Sequence, residues 1–275
     1  MANTLTGTPA AAAIYVQVRE HAAALDAPPC LAAVSVGAQP DDRAYLRSIA
    51  QAAAGCGITV RPVPLPADCA PEALTDTLRA LSTDGAVHGV LLLRPLPEAL
   101  RAQEILDTLD ARKDVDGMTT ASLGALVTGA AGFAPCTAEA CMELLRAHGI
   151  DPAGRRVTIV GRSLVIGRPA ALLLTRPVTL CHRKTPDLAA RCRDADILLA
   201  AAGTPGLITT DFVRPGQIVL DAGATALPDG TLRGDVAPDA AAIAVCTPVP
   251  GGIGSVTTAL LLRHTVQAAE NLRHF

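Results

Sequence analysis

Aromatic side chains are nearly missing from this 275-residue chain: they make up 2% of it, and tryptophan is absent. Ala, Leu and Val must therefore fill the interior. Lysine is almost as scarce, with only Lys113 and Lys184, so arginine carries nearly all the positive charge. A GC-rich coding bias accounts for that preference, and a missing catalytic lysine would be easy to see. No C-x-x-C pair occurs, and no His/Cys group has zinc spacing, so no metal site is expected. The eight cysteines, several inside apolar runs, read as buried free thiols of a reducing cytosol, which implies a cytoplasmic protein. No apolar run approaches the ~20 residues needed to cross a bilayer. Residues 1–13 lack the basic and apolar stretches of a secretory signal, and none is expected. A net charge of −3 and a pI near 6.1 lack the basic stripe of a nucleic-acid binder.

What is present is enough apolar residue, 50% of the chain, to bury a sizeable core in one large or two medium domains. The first half alternates helix and strand signals. Residues 9–25 have helical spacing, and Cys30–Val36 is a short apolar strand. Asp41 or Asp42 is expected to cap a helix over 43–54, stopped by Gly55 and Gly57. Thr59–Val63 reads as a strand and Pro71–Leu81 as a helix with proline at its start. Val87–Leu93 has the apolar character of a central parallel strand. Residues 137–148 form a helix between the halves. Strands follow near 156–160, 177–181, 195–202, 217–222 and 243–246, with a last helix at 256–272. Alternating strand and helix implies an α/β fold with parallel sheets. The junction falls near 140–150, with the last helix folding back on the first domain.

Arg156–Val160 leads into Gly161-Arg-Ser-Leu-Val-Ile-Gly167-Arg168-Pro169, a strand, a glycine turn and a helix start. A helix N-terminus offers unpaired N–H groups to phosphate. The usual G-x-G-x-x-G is absent, and an ordinary strand–helix turn would read the same way. The next strand ends in Cys181-His182-Arg183-Lys184-Thr185, with no acid for a ribose hydroxyl. Two cations and a hydroxyl suit the 2′-phosphate of NADP, with Arg162 adding a third charge. A solvated basic loop is the alternative.

Four segments in order resemble one family: Lys113-Asp-Val-Asp-Gly117, Pro135-Cys-Thr137, the 161–169 loop and Thr247-Pro-Val-Pro-Gly-Gly-Ile-Gly254. The chain resembles the bifunctional methylenetetrahydrofolate dehydrogenase/methenyltetrahydrofolate cyclohydrolases, called FolD in bacteria. The resemblance implies a homodimer of two-domain α/β subunits that binds a tetrahydrofolate derivative between the domains and uses NADP. It places a folate-binding catalytic domain at 1–140, completed by the helix 256–275, and a Rossmann-like NADP-binding domain at 141–255. It implies that Asp116 holds the pterin through its amino group and ring N–H, and that Tyr45 stacks on the folate rings. Pro250, Gly251, Gly252, Ile253, Gly254 and Thr257 would border the ligand. Gly161, Arg162, Ser163, Gly167, His182, Arg183, Lys184 and Thr185 would hold the cofactor. A loop charge or helix cap is the plainer reading of Asp114 and Asp116, and a half-buried helix aromatic that of Tyr45.

Two positions depart. The family's lysine four residues after the tyrosine is Ile49 here, and its glutamine before Pro-Leu-Pro is Leu93. Replacing both partners of a buried polar pair by apolar residues can be nearly neutral, whereas losing one costs about 1–3 kcal/mol. Neither Arg47, off the Tyr45 helix face, nor Arg94, expected on the opposite side of the strand from Leu93, is a convincing substitute. Smaller departures are Ala138-Glu-Ala140 after Pro-Cys-Thr, Ser255-Val256 for Pro-Met, and Asp42 for a serine. Hydride transfer needs positioning rather than a general base, so dehydrogenation is expected with weak or lost cyclohydrolase activity. The alternatives are a bifunctional enzyme with a substitute acid/base, an NADP oxidoreductase on another substrate, and a non-catalytic folate or NADP binder.

Overall fold

The computed structural model describes residues 4–37, 40–174, 177–227 and 229–272, with the side chains of residues 40 and 41 outside that description. The chain divides into two compact units. One holds Ala13–Cys136 and the chain from Thr258; the other holds the chain up to Ala12 and Thr137–Thr257.

The unit built on residues 13–136 is a βα repeat. Helix α1 (Thr8–Ala23) leads to β1 (Cys30–Val36), α2 (Pro40–Ala54), β2 (Thr59–Leu65), α3 (Pro71–Thr83), β3 (Gly89–Leu92), the single turn α4 (Gln103–Leu106) and α5 (Thr120–Thr128). The strands form a parallel sheet in the order β2-β1-β3. Strand β1 is therefore central, not the 87–93 run, which lies at an end of the sheet with an isolated bridge from Val90 to Asp114. Strand β2 carries Pro62 and Pro64, which lack a ladder N–H and fit an edge strand. Helix α2 begins at Pro40, so Asp41 and Asp42 lie inside its first turn rather than capping it. Ala38 and Gln39, read as part of the preceding turn, lie outside the described residues. Thr119 caps α5, its hydroxyl accepting from Ser122 N at 3.1 Å, and Gly129 ends it at φ 72°. That helix was not visible in the sequence pattern.

The other unit contains α6 (Cys136–Ala147) from Thr137 on, then β4 (Val157–Val160), α7 (Gly167–Leu174), β5 (Val178–Cys181), α8 (Leu188–Asp194), β6 (Ile197–Ala200), β7 (Ile218–Asp221), the two-residue strands β8 (Thr225–Ala226) and β9 (Leu232–Arg233), α9 (Pro238–Ile243), β10 (Val245–Cys246) and the start of α10 (Ile253–Leu272). Five strands form a parallel sheet, β10-β7-β6-β4-β5. Strands β4, β6 and β7 are buried throughout, as expected where helices cover both faces. Val160, Leu198, Ile208, Val219 and Ala240 belong to one core cluster. The chain leaves β4 for β5 on one side and returns to β6 on the other. This reversal makes the carboxyl end of β4 a topological switch point, where open α/β sheets bind ligands. The short antiparallel pair β8–β9 escaped sequence reading. Among the described residues no helix is long and apolar enough to cross a membrane.

Candidate active site

The segment 113–117 divides its work residue by residue. Lys113 is buried, and its Nζ donates to the carbonyls of Leu81 and Asp84 at 3.1 and 2.8 Å, where α3 ends. Asp114 is also buried and accepts from Thr119 N and Ser122 Oγ, both at 2.7 Å. These two charges hold the loop. Gly117 turns the chain at φ 69°, and a Cβ there would meet the Ala134 carbonyl carbon at 2.5 Å. Asp116 is left as the acid with a different role. Burial and the neighbouring Asp114 charge push its carboxyl up to about 7, against the pull of Arg94, His264 and the Cys136 thiol.

Burial pushes the Tyr45 phenol up, the nearby Asp116 charge adds to this, and a hydrogen bond with Thr258 partly offsets it. The residue still keeps 40% of its surface exposed. It therefore presents an open face while its polar end is enclosed. Ile49, one turn further along α2, is completely buried, and Leu93 is 6% exposed just beyond β3. Neither supplies an ionisable group. Arg94 needs correcting: it is exposed, yet near enough to Asp116 to stabilise its carboxylate. Leu93 and Arg94 lie beyond the last residue of β3, so strand alternation does not govern where Arg94 points.

Sequence reading gave Cys136 only as part of the Pro135-Cys-Thr137 segment, and it missed Thr258 and His264. Cys136 Sγ donates to the Val115 carbonyl at 3.2 Å, and His264 Nδ1 lies 2.9 Å from the same oxygen. His264 sits in α10 among Leu260, Leu261 and Leu262, all buried. A lone imidazole at a buried helical position was the available signal. Among the described residues no group of three His, Cys, Asp or Glu is placed to hold a metal ion.

In the other unit the glycine turn is sterically committed. Gly161 has φ 132°, and a Cβ there would lie 2.0 Å from the Ala201 carbonyl oxygen. A Cβ on Gly167 would lie 1.9 Å from the Gly161 oxygen. Helix α7 thus starts at Gly167 against the end of β4, as a phosphate cradle requires. Ser163 Oγ accepts from Ile166 N at 3.2 Å and shapes the turn. After β5, His182 N donates to Thr185 Oγ1 at 2.9 Å, and Lys184 N donates to His182 Nδ1 at 3.0 Å. His182 and Thr185 therefore build this loop, which leaves Arg183 and Lys184 exposed. Arg162 is exposed too, and none of these three cations forms an ion pair among the described residues. This donor set, with no carboxylate at the end of β5, fits a phosphorylated dinucleotide such as NADP.

The segment 250–257 belongs to this unit as well. Gly251, at φ 99°, accepts from Gly7 N at 2.9 Å, and a Cβ on Gly7 would lie 2.1 Å from Gly252 O. These glycines pack against Gly7, a structural demand separate from any ligand. Pro250 is exposed, Ile253 begins α10, and Thr257 Oγ1 donates back to Ile253 O at 3.1 Å.

Residues 5–116 match the tetrahydrofolate dehydrogenase/cyclohydrolase catalytic domain, and residues 135–273 match the NAD(P)-binding domain of the same family. The chain is 47% identical to "Bifunctional protein FolD 1" of Rhodococcus jostii over 98% of its own length and 93% of that protein's. It superposes with a TM-score of 0.92 on the Campylobacter jejuni bifunctional FolD dehydrogenase/cyclohydrolase, at 36% identity, covering 98% of this chain and 99% of that one. The Trypanosoma brucei methylenetetrahydrofolate dehydrogenase-cyclohydrolase, solved with NADP and an inhibitor, gives a TM-score of 0.92 at 34% identity, covering 100% of this chain and 99% of that one. The chain belongs to the tetrahydrofolate dehydrogenase/cyclohydrolase family.

Proposed function

We propose that this protein is an NADP-dependent 5,10-methylenetetrahydrofolate dehydrogenase that forms 5,10-methenyltetrahydrofolate. The observation that carries this reading is the glycine cradle that ends β4, in a chain whose other unit sets Tyr45 within electrostatic reach of Asp116. Asp116 as a carboxylate accepts from the paired amino and ring N–H donors of a pterin. Tyr45 offers a flat, partly exposed face to the ring system. Arg162, Arg183 and Lys184 would hold the 2′-phosphate of the cofactor, and the N–H groups at the start of α7 would hold its diphosphate. NADP supplies the hydride acceptor. The lone pairs of the two folate nitrogens expel the hydride, so the chain's own contribution is alignment and exclusion of water rather than proton abstraction. A homodimer is part of this proposal by family resemblance.

Two readings of the hydrolytic step stand. Loss of cyclohydrolase activity is supported by buried aliphatic side chains at 49 and 93. Retention through a substitute acid/base is favoured by the bifunctional naming of a 47% identical relative, and by the Asp116 carboxyl near 7, within reach of neutral-pH proton transfer. Steady-state assays on one preparation separate them. NADPH formation from methylenetetrahydrofolate tests the dehydrogenase, and enzyme-dependent hydrolysis of methenyltetrahydrofolate tests the second step. Rapid hydrolysis by the unmodified chain, with its kcat at saturating folate lost in Asp116→Asn while the kcat for NADPH formation is kept, establishes the substitute. Hydrolysis gained only in Ile49→Lys with Leu93→Gln establishes the loss. Absence of turnover on folates, with turnover on another small substrate, would replace the proposal.

A further inference from the structure

Cys136 at the start of α6 and His264 in α10 converge on one backbone oxygen, the Val115 carbonyl, at 3.2 and 2.9 Å. Both side chains are buried, at 1% and 3% exposure, and the Cys136 sulfur lies 3.5 Å from His264 Nδ1. A carbonyl oxygen only accepts, so Nδ1 must carry the proton. The Phe133 ring lies 4.9 Å from the imidazole and covers it. Val115 is further confined by Gly89, where a Cβ would lie 2.8 Å from the valine side chain. The oxygen so held belongs to the peptide unit whose nitrogen is that of Asp116. Fixing that plane fixes where the Asp116 side chain starts.

We propose that His264 is a positioning residue for the folate reaction, orienting Asp116 through the Val115 carbonyl. This inference rests on the proposed role of Asp116 in holding the pterin. The charged and titratable groups around Asp116 are Asp114, Arg94, Cys136, His264 and the Tyr45 phenol. Among them Arg94 and His264 oppose the negative charge of Asp114. A supporting contact of this kind acts on ligand binding through geometry and charge together, and the two are separable by substitution.

The experiment compares the unmodified protein with His264→Asn and His264→Leu. Asparagine keeps a donor for the Val115 oxygen but cannot take up a proton; leucine offers neither. For His264→Leu the KM for methylenetetrahydrofolate should rise about 3- to 10-fold, with the KM for NADP unchanged. His264→Asn should restore that KM, while both variants move the acid limb of folate binding to higher pH. Two NMR readings need no turnover. Nitrogen-labelled histidine should report the Nδ1–H form at His264, and carbon-labelled aspartate should report a higher titration midpoint for Asp116 in His264→Asn. A proton on Nε2 alone, or an Asp116 titration unmoved by the substitution, overturns the inference. Should the leucine variant fail to fold, the asparagine variant and both NMR readings still decide. An unmodified protein that turns over no folate defeats the proposed function instead, and leaves these NMR results readable.

Discussion

The carboxylate of Asp221 accepts a hydrogen bond from the backbone N–H of Asp235 at 2.9 Å, and Asp235 in turn gathers the loop that follows β6. Asp235 is fully buried and accepts from the N–H groups of Ala202, Gly203 and Thr204 at 2.5, 3.0 and 2.7 Å. The oxygen of Ala201, at the base of this loop, lies against Gly161. Asp235→Asn replaces a full acceptor by a group that is half donor. It should cost about 2–4 kcal/mol in denaturant unfolding and weaken NADP binding. Unchanged stability would show that the three N–H groups find other acceptors.

Gly161→Ala should be worse. The substitution puts a methyl group 2.0 Å from a backbone oxygen at a φ of 132°. Backbone strain and overpacking together predict a loss above about 3 kcal/mol and no measurable NADP affinity. Equilibrium unfolding and cofactor titration check both.

Cofactor choice depends on the cations. Arg162→Ser with Arg183→Ser should raise the KM for NADP by roughly 10- to 100-fold, the equivalent of about 1.5–3 kcal/mol for hydrogen bonds to charged groups. The KM for NAD should hardly move. An equal loss with both cofactors would place these arginines away from the 2′-phosphate.

Much of this was legible in advance, for physical reasons that differ by element. Strand β1 was read with its observed ends because Cys30–Val36 is an unbroken apolar run closed by glycine. Strands β4, β6 and β7 were found because burial on both faces leaves continuous apolar runs. The same rule misplaced Val87–Leu93 as central: the Asp114 bridge flanks β3 without a full strand. The β8–β9 pair is too short for a period to show. Asp116 and Tyr45 entered through motif resemblance. His264 did not, because its partner Val115 is 149 residues away in sequence and no local pattern encodes that contact.

Asp116 also predicts a pH dependence of stability. Its carboxyl is raised from 3.8 to about 7, chiefly by burial, and that of Asp221 to about 6 for the same reason. A carboxyl raised on folding binds more protons in the folded state, so its contribution is present below about pH 4 and is lost as pH rises through 6 and 7. Asp116→Asn removes one of the two groups. Denaturant titrations at pH 5 and pH 8 should therefore show a smaller fall in stability for the variant than for the unmodified protein. An equal fall would mean that Asp116 is solvated. The same variant should raise the KM for the folate by roughly 10- to 100-fold, from loss of hydrogen bonds to a charged group worth about 1.5–3 kcal/mol.

The most direct measurement is the mass of the NADPH formed when the protein is given NADP and methylenetetrahydrofolate labelled with deuterium at the methylene carbon. The account predicts NADPH that carries deuterium, formed by the unmodified chain, formed more slowly at low folate by Asp116→Asn, and not formed by variants that lose the glycine cradle. No NADPH, or NADPH free of the label, would contradict it.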